Sequence, residues 1–309
     1  MGTSDLTEFL RDFALGPFGW SAAVLWGAVW GSFFNVLIVR IPAEESLVRP
    51  VSHCRSCGEA IRWYDNVPIL SYLLLRGRCR RCGARFSPRY LLVELLVAGL
   101  AVLLYHSLVH GDVVTPIGLR LARFVVLSLF AGLLVAITFI DLDTMRIPDA
   151  ITYPGIPVCI GLSLFFGHPH WWDGLAGGAA GYLLIRLLAD GYRLVTGRTG
   201  MGYGDAKLLA MIGGLLGWQA LLPVLFLSAL QGSVIGISLL ALFRARRRGD
   251  EKTAATPADE EEGGDDEEPP PDPSSLRYAK LPFGPFLGLA ALEVVLLRDL
   301  LGVFFPYLY

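Results

Sequence analysis

Apolar residues gather into eight long stretches along this chain, near residues 20–39, 91–108, 124–140, 151–166, 175–188, 206–216, 220–243 and 281–297. Charged or turn-forming residues bound each of them. Runs of this kind match the hydrocarbon thickness of a bilayer. The pattern therefore predicts an all-α, polytopic membrane protein with about eight transmembrane helices. The weakest stretch is Ala206–Leu216, which is short, contains Gly213 and Gly214, and is followed by Gly217.

Composition agrees with that reading. The 309 residues are 54% hydrophobic and the mean hydropathy is +0.53, which sets soluble classes aside. Charge then gives the helices a direction. The loop at residues 40–89 holds ten arginines against Glu44, Glu45, Glu59 and Asp65, and by the positive-inside rule it faces the cytoplasm. Both termini then lie outside, and alternating the helices brings Asp141 and the 190–205 connection to the cytoplasmic side. Asp5, Glu8, Arg11 and Asp12 precede the first run in place of the basic segment of a cleaved signal, so that run is read as a retained helix. Residues 244–280 open with Arg244, Arg246, Arg247 and Arg248, and continue through two acidic blocks into Pro269–Pro271. Such composition reads as a disordered cytoplasmic linker. The net charge of −2 averages this linker with the basic loop. No nucleic-acid partner is expected, and membrane lipid is the expected surround. The pattern carries no signal of oligomeric state.

Four of the five cysteines form two like units, Cys54-Arg55-Ser56-Cys57-Gly58 and Cys79-Arg80-Arg81-Cys82-Gly83, with 21 residues between them. Twin CxxC pairs suit tetrahedral Zn²⁺, and the glycine after each pair permits the turn that aims backbone amides at sulfur. Disulfides are the competing reading, which a cytoplasmic placement disfavours; a redox CxxC is another. Four thiolates leave no open coordination position, so zinc here is structural. Cys159, alone in an apolar run, reads as a small core residue. The histidines fall in or beside outward-facing connections and read as solvated.

Two acids stand where apolar helix meets water. Asp141 closes the run 124–140, and Asp205 sits in Gly202-Tyr203-Gly204-Asp205-Ala206-Lys207 at the mouth of another. An acid at a helix end ordinarily caps it. Two ionisable groups at a membrane boundary, one of them flanked by glycines that let a substrate backbone approach, suggest a site instead. Paired carboxyls that share a proton can activate water and polarise a carbonyl. Lys207 reads as a snorkelling anchor or as a group that biases the pair. Pro282-Phe283-Gly284-Pro285 begins the last helix on the same side, where prolines leave carbonyls available to a substrate strand or simply start the helix. Ser32, Asn35 and Glu94 are polar positions inside apolar helices, suited to bonding across helices or to holding a ligand. A membrane scaffold and a proton-coupled transporter are rival readings, the latter disfavoured because the acids lie at helix ends.

The order of Gly31-Ser32-Phe33-Phe34-Asn35, the twin CxxCG units, Ser87-Pro88-Arg89-Tyr90, Phe139-Ile140-Asp141-Leu142-Asp143, the Gly202–Lys207 turn and Leu281-Pro282-Phe283-Gly284-Pro285 resembles the prepilin peptidases, membrane aspartic proteases of the GxGD type. The resemblance implies a catalytic pair of Asp141 with Asp205, Asp143 and Asp149 being the runners-up for the first acid. It implies cleavage of a basic leader from type IV prepilins or type II secretion pseudopilins at the cytoplasmic face of the bacterial inner membrane. It also implies N-methylation of the new terminus with S-adenosylmethionine, because the zinc loop belongs to bifunctional members. The chain then divides into residues 1–110, methyltransferase-like with the zinc loop, and residues 111–309, the peptidase with the acidic linker. Gly77, Ser32, Asn35 and Glu94 are the candidates near the methyl donor. The acidic, proline-rich insertion is the main departure from the family pattern.

Overall fold

A computed structural model describes residues 3–49, 51–112, 114–164, 170–197, 202–254 and 282–297. Its described residues form helices and turns with no strand; only the isolated bridges His53–Ala60 and Arg78–Arg85 are extended pairs. Each of the eight apolar runs lies on a helix. These are α2 (Pro17–Arg40), α4 (Arg89–Tyr105), α5 (Ile117–Thr144), α6 (Asp149–Ser163), α7 (Asp173–Thr196), α8 (Tyr203–Leu216), α9 (Leu221–Ala254) and α10 (Gly284–Leu296). An amphipathic α1 (Thr3–Leu15) precedes them, and a short α3 (Leu70–Leu74) lies in the cysteine loop.

Among the described residues four helical segments are long and apolar enough to cross a membrane: Pro17–Arg40, Arg89–Gly111, Ile117–Thr144 and Trp218–Leu239. α8 falls short because its 14 residues rise only about 21 Å. Protein surrounds it instead. Leu208, Leu209, Met211 and Ile212 have no exposed surface, and α6, α7 and α10 pack around it. Enclosure of this kind is what a short helix at membrane depth requires, since its terminal backbone groups cannot face lipid. The close approach of α7 to α8 depends on small residues: a Cβ on Gly181 would fall 2.7 Å from the Leu209 carbonyl oxygen.

α5 is the shared wall of the fold. It packs on α2 and α4 on one side and on α10 on the other. The Trp26 indole N–H donates to Ser128 Oγ at 3.0 Å, Tyr105 meets Phe124 edge-on at 5.1 Å, and the Phe34 ring occupies the space over Gly132.

Two local expectations change. α9 runs on through Ala254, so residues 244–254 of the expected linker are helical; alanine and arginine extend a helix already begun. The rest of that linker, with Leu281, lies outside the described residues. His110, expected to be solvated, packs tilted against Trp20 with ring centroids 4.7 Å apart, because residues 106–111 continue α4 as a wider turn that folds the ring inward.

Candidate active site

The last turn of α5, the first turn of α8 and the start of α10 meet at one end of the bundle. Asp141 lies in that last α5 turn and is 4% exposed. The helix stops four residues later at Met145, whose φ of 54° closes it, with the Met145 N–H bonded to the Asp141 carbonyl at 2.8 Å. A non-glycine residue held left-handed is costly, and here it turns the chain sharply toward Ile147 and α6.

Asp205 occupies the third position of α8 and is 8% exposed. Its Oδ2 accepts the Gly202 N–H at 3.2 Å, so the carboxylate also caps the helix it begins. The two acids lie close enough for their charges to interact. The Gly284 backbone N–H lies beside the Asp141 carboxyl, which places the positive end of the α10 dipole against a carboxylate. The α10 turn was expected to offer free carbonyls. That of Phe283 is taken by the N–H groups of Phe286 and Leu287, at 3.1 and 3.2 Å, while those that Pro282 and Pro285 would free belong to residues 278 and 281, outside the described residues. Pro282 and Pro285 flank the turn, half-buried.

Ile147 ties the three elements together. A Cβ on Gly204 would lie 3.0 Å from the Ile147 Cβ, and one on Gly284 would lie 3.1 Å from the Ile147 Cδ1 and 2.5 Å from the Asp141 Oδ2. Both glycines are therefore sites of close approach. Sequence reasoning passed over Ile147 as a packing residue, since one isoleucine in a short connection carries no periodic signal.

The neighbouring acids are engaged by cations. Asp143 pairs with Arg89 at 2.6 Å; the same guanidinium donates to the Phe139 carbonyl at 3.2 Å and sits over the Phe139 ring at 4.7 Å. Asp149 pairs with Lys207 at 2.5 Å, and Lys207 lies over the Tyr153 ring at 4.4 Å. Among the described residues neither Asp141 nor Asp205 is in an ion pair. Asp143 and Asp149 are half-exposed in their pairs, where such contacts contribute about 1 kcal/mol or less. Asp143→Asn and Asp149→Asn are accordingly expected to keep cleavage of a precursor within about ten-fold of the parent, read as initial rates; loss of cleavage in either would move the first acid away from Asp141.

The cysteine loop folds as two matching knuckles. In each, the backbone N–H of the first cysteine bonds outward across the turn, Cys54 to Glu59 and Cys79 to Ala84, at 2.9 and 2.8 Å. Gly58 and Gly83 take φ of 70° and 72°, the conformation that glycine alone adopts without penalty. The four Sγ atoms of Cys54, Cys57, Cys79 and Cys82 lie within 4.8 Å of one another, and Cys54 and Cys82 are 3.8 Å apart. Tetrahedral Zn²⁺ with its usual bond to sulfur needs edges of about 3.8 Å, so the donor set fits that ion. Backbone N–H groups, that of Cys57 foremost and then that of Ser56, lower the Cys54 thiol to about 6, while Cys82, among the same sulfurs, is pushed up to about 11. Arg80 of the second knuckle fastens to Asp65 of the turn at Trp63–Asn66, bonded from Nε and Nη2, the closest contact being 2.6 Å; the Arg80 guanidinium holds the Asp65 carboxyl below its usual value.

The other polar positions fasten this loop to the helices. Glu94 accepts the Ile69 N–H at 2.7 Å and bonds to Ser32. Asn35 donates to the Tyr90 carbonyl at 2.9 Å. Gly77, at φ 64°, lies against Tyr72, where a Cβ would fall 2.7 Å from the phenol oxygen.

Both regions have counterparts among known proteins. A model of the bacterial peptidase A24 N-terminal domain matches residues 25–108, and one of the type IV leader peptidase family matches residues 128–237. A prepilin leader peptidase/N-methyltransferase of Aeromonas salmonicida strain A449 is 40% identical over 247 residues, covering 72% of this chain and 81% of that protein. The chain belongs to the type IV leader peptidase family. A like-named protein of Pseudomonas putida is 36% identical across 90% of both chains. Another, of Myxococcus xanthus strain DK1622, is 41% identical over 223 residues, of whose length this chain spans 64%. No solved structure matches the chain. The family's two matched regions meet along α5: the zinc loop and α2 fall in the first, and both buried acids in the second.

Proposed function

We propose that this chain is a membrane aspartic endopeptidase that removes the leader from prepilins or pseudopilins and methylates the amine so released, with Asp141 and Asp205 as the catalytic pair. The observation that carries this reading is the convergence of those two carboxyls, buried and without a cation, from helices far apart in sequence. The printed names of the relatives carry both activities.

In the proposed reaction a water lies between the acids. One carboxylate takes its proton while the other, protonated, donates to the scissile carbonyl oxygen, and the proton then passes to the leaving amine. The Gly284 N–H steadies Asp141, and the Gly202 N–H steadies Asp205. Glycine at 202 leaves room for a peptide in extended form, as cleavage requires, because a helical carbonyl is already engaged.

Eight crossings, α2 and α4 through α10, would place the ends of α5, α8 and α10 that meet at the acids on the cytoplasmic side with the basic loop. The opposite ends of α7 and α8 also meet, Trp218 donating to Asp173 at 3.1 Å, as antiparallel crossings demand. The bacterial inner membrane is the setting this reading implies. Incubating purified enzyme with a prepilin and S-adenosylmethionine tests it: mass spectrometry should find the leader gone and one methyl gained, and an uncut substrate with folded enzyme would refute it.

Zinc held by the four cysteines would staple the loop and supply no open ligand position. Cys54→Ser is expected to reduce bound zinc from one equivalent to background by elemental analysis. The same variant should make residues 46–86 readily cleaved by added protease, because metal binding is folding energy for so small a unit. Leader removal should outlast the loss of methyl transfer.

A further inference from the structure

The methyl-transfer reading requires a donor site, and neither buried acid supplies one. A cavity of about 440 Å³ opens where the end of α2, residues 47, 48, 51 and 52 and residues 61–66 come together, all within the first family region. Its lining includes Arg40, Val48, Ser52, Ile61, Trp63 and Asn66. The volume falls within the range of about 300–1,000 Å³ typical of small-molecule sites. Trp63, 82% exposed, is an apolar surface that a soluble loop ordinarily hides.

We propose that this cavity binds S-adenosylmethionine, which rests on the methyl-transfer reading above. The ligand's parts match the walls. Its carboxylate suits Arg40, the charged residue of the lining, whose planar guanidinium pairs with carboxylates through paired N–H donors. Its adenine suits stacking on the Trp63 indole, with the Asn66 amide able to both donate to and accept from the base edge.

The walls are also fixed in advance. Arg40 donates to the Ser46 carbonyl at 2.8 Å, and Ser46 Oγ accepts the Val48 and Arg49 N–H groups at 3.3 and 3.4 Å. On the facing wall Ser71 Oγ donates to the Tyr64 carbonyl and accepts the Val67 N–H, both at 3.0 Å. Asp65, between Trp63 and Asn66, is clamped by Arg80. Preformed walls lower the entropy lost on binding. The second knuckle thereby gains a further role, since its Arg80 fixes the Trp63 turn through Asp65. Ser32, Asn35 and Glu94 act one layer below, as fasteners of that loop. In the transfer itself the lone pair of the released amine attacks the donor methyl carbon. The carbon–sulfur bond breaks with its electrons going to sulfur, leaving the thioether S-adenosylhomocysteine, and the amine sheds a proton to water.

The test is equilibrium binding of radiolabelled S-adenosylhomocysteine to the full zinc-loaded chain in detergent, with zinc content as the check that each variant's loop has folded. Trp63→Ala is expected to weaken binding at least about ten-fold, and Trp63→Phe to restore most of it. Unchanged binding in zinc-loaded Trp63→Ala would overturn the site while leaving the methyl-transfer reading intact, and would make Trp63 a membrane-surface anchor. A parent chain that cleaves a prepilin but binds no S-adenosylhomocysteine would remove both.

Discussion

Asp205→Asn enzyme is expected to leave its precursor uncut, with a rate at least about a thousand-fold below the parent, as is usual when an acid–base group is removed. Asp141→Asn should do the same, and the double variant should lose little more, because the two carboxyls act as one unit. The asparagine side chain has the shape of aspartate and still turns an oxygen to the Gly202 or Gly284 N–H. Helix α8 therefore keeps its cap, and thermal unfolding should move little. Initial rates of leader removal, followed beside an unfolding curve, make the check. A single variant that cleaves at the parental rate would defeat the pair; a variant that fails to fold would show the carboxyl to be structural.

The second large effect is expected from a methyl group. Gly284→Ala puts a Cβ 2.5 Å from the Asp141 Oδ2 and 3.2 Å from its Cγ, closer than any real contact. The backbone there belongs to a helix pinned by Leu287, Ala290 and Ala291, which have no exposed surface, so the carboxyl must yield. Displacing a catalytic group by about 1 Å costs on the order of a hundred-fold, and kcat should carry the loss because the substrate is held elsewhere. Alanine suits a helix better than glycine by about 1 kcal/mol, so a fold that is no less stable but far slower would identify Gly284 as the residue that seats Asp141. Parental kcat in this variant would show that the carboxyl has room the structure does not give it.

Much of this was readable along the chain, for identifiable reasons. Continuous apolar runs carry their own signal, so every one of the eight lies on a helix. α1 escaped because its apolar positions alternate with Asp5, Glu8, Arg11 and Asp12, and residues 244–254 because helix continuity outweighed charge. The cysteine pairing was legible since metal ligands impose short fixed spacings, and the tight turns at Gly58 and Gly83 follow from the same spacing. The encounter of Asp141 with Asp205 could be anticipated because counting the apolar runs between them puts both acids at the same end of the bundle. Gly284 and Ile147 could not be read in their present roles: a backbone N–H has no residue-type signature, and the contact of Ile147 with two glycines arises only once three helix ends converge. The length of α8 likewise hid its importance, because a short apolar run looks weak until one sees that other helices, not lipid, enclose it.

The wall that α5 forms has a bearing on how this enzyme can be taken apart. Along the chain the two family regions are separated by residues 109–127, which invites a cut near residue 110. In space that cut falls beside an unbroken packed face. A fragment beginning at residue 111 would keep both acids, yet it would bring an empty slot over Gly132 shaped for the Phe34 ring, a Phe124 without Tyr105, and a Phe139 carbonyl and an Asp143 bereft of Arg89. Vacated aromatic sites typically cost about 3–5 kcal/mol each, and the loss of Arg89 falls on the turn that carries Asp141. Sequence modules in this protein are thus not spare parts: a minimal peptidase would have to be redesigned along one whole side of its longest inner helix before it could stand by itself.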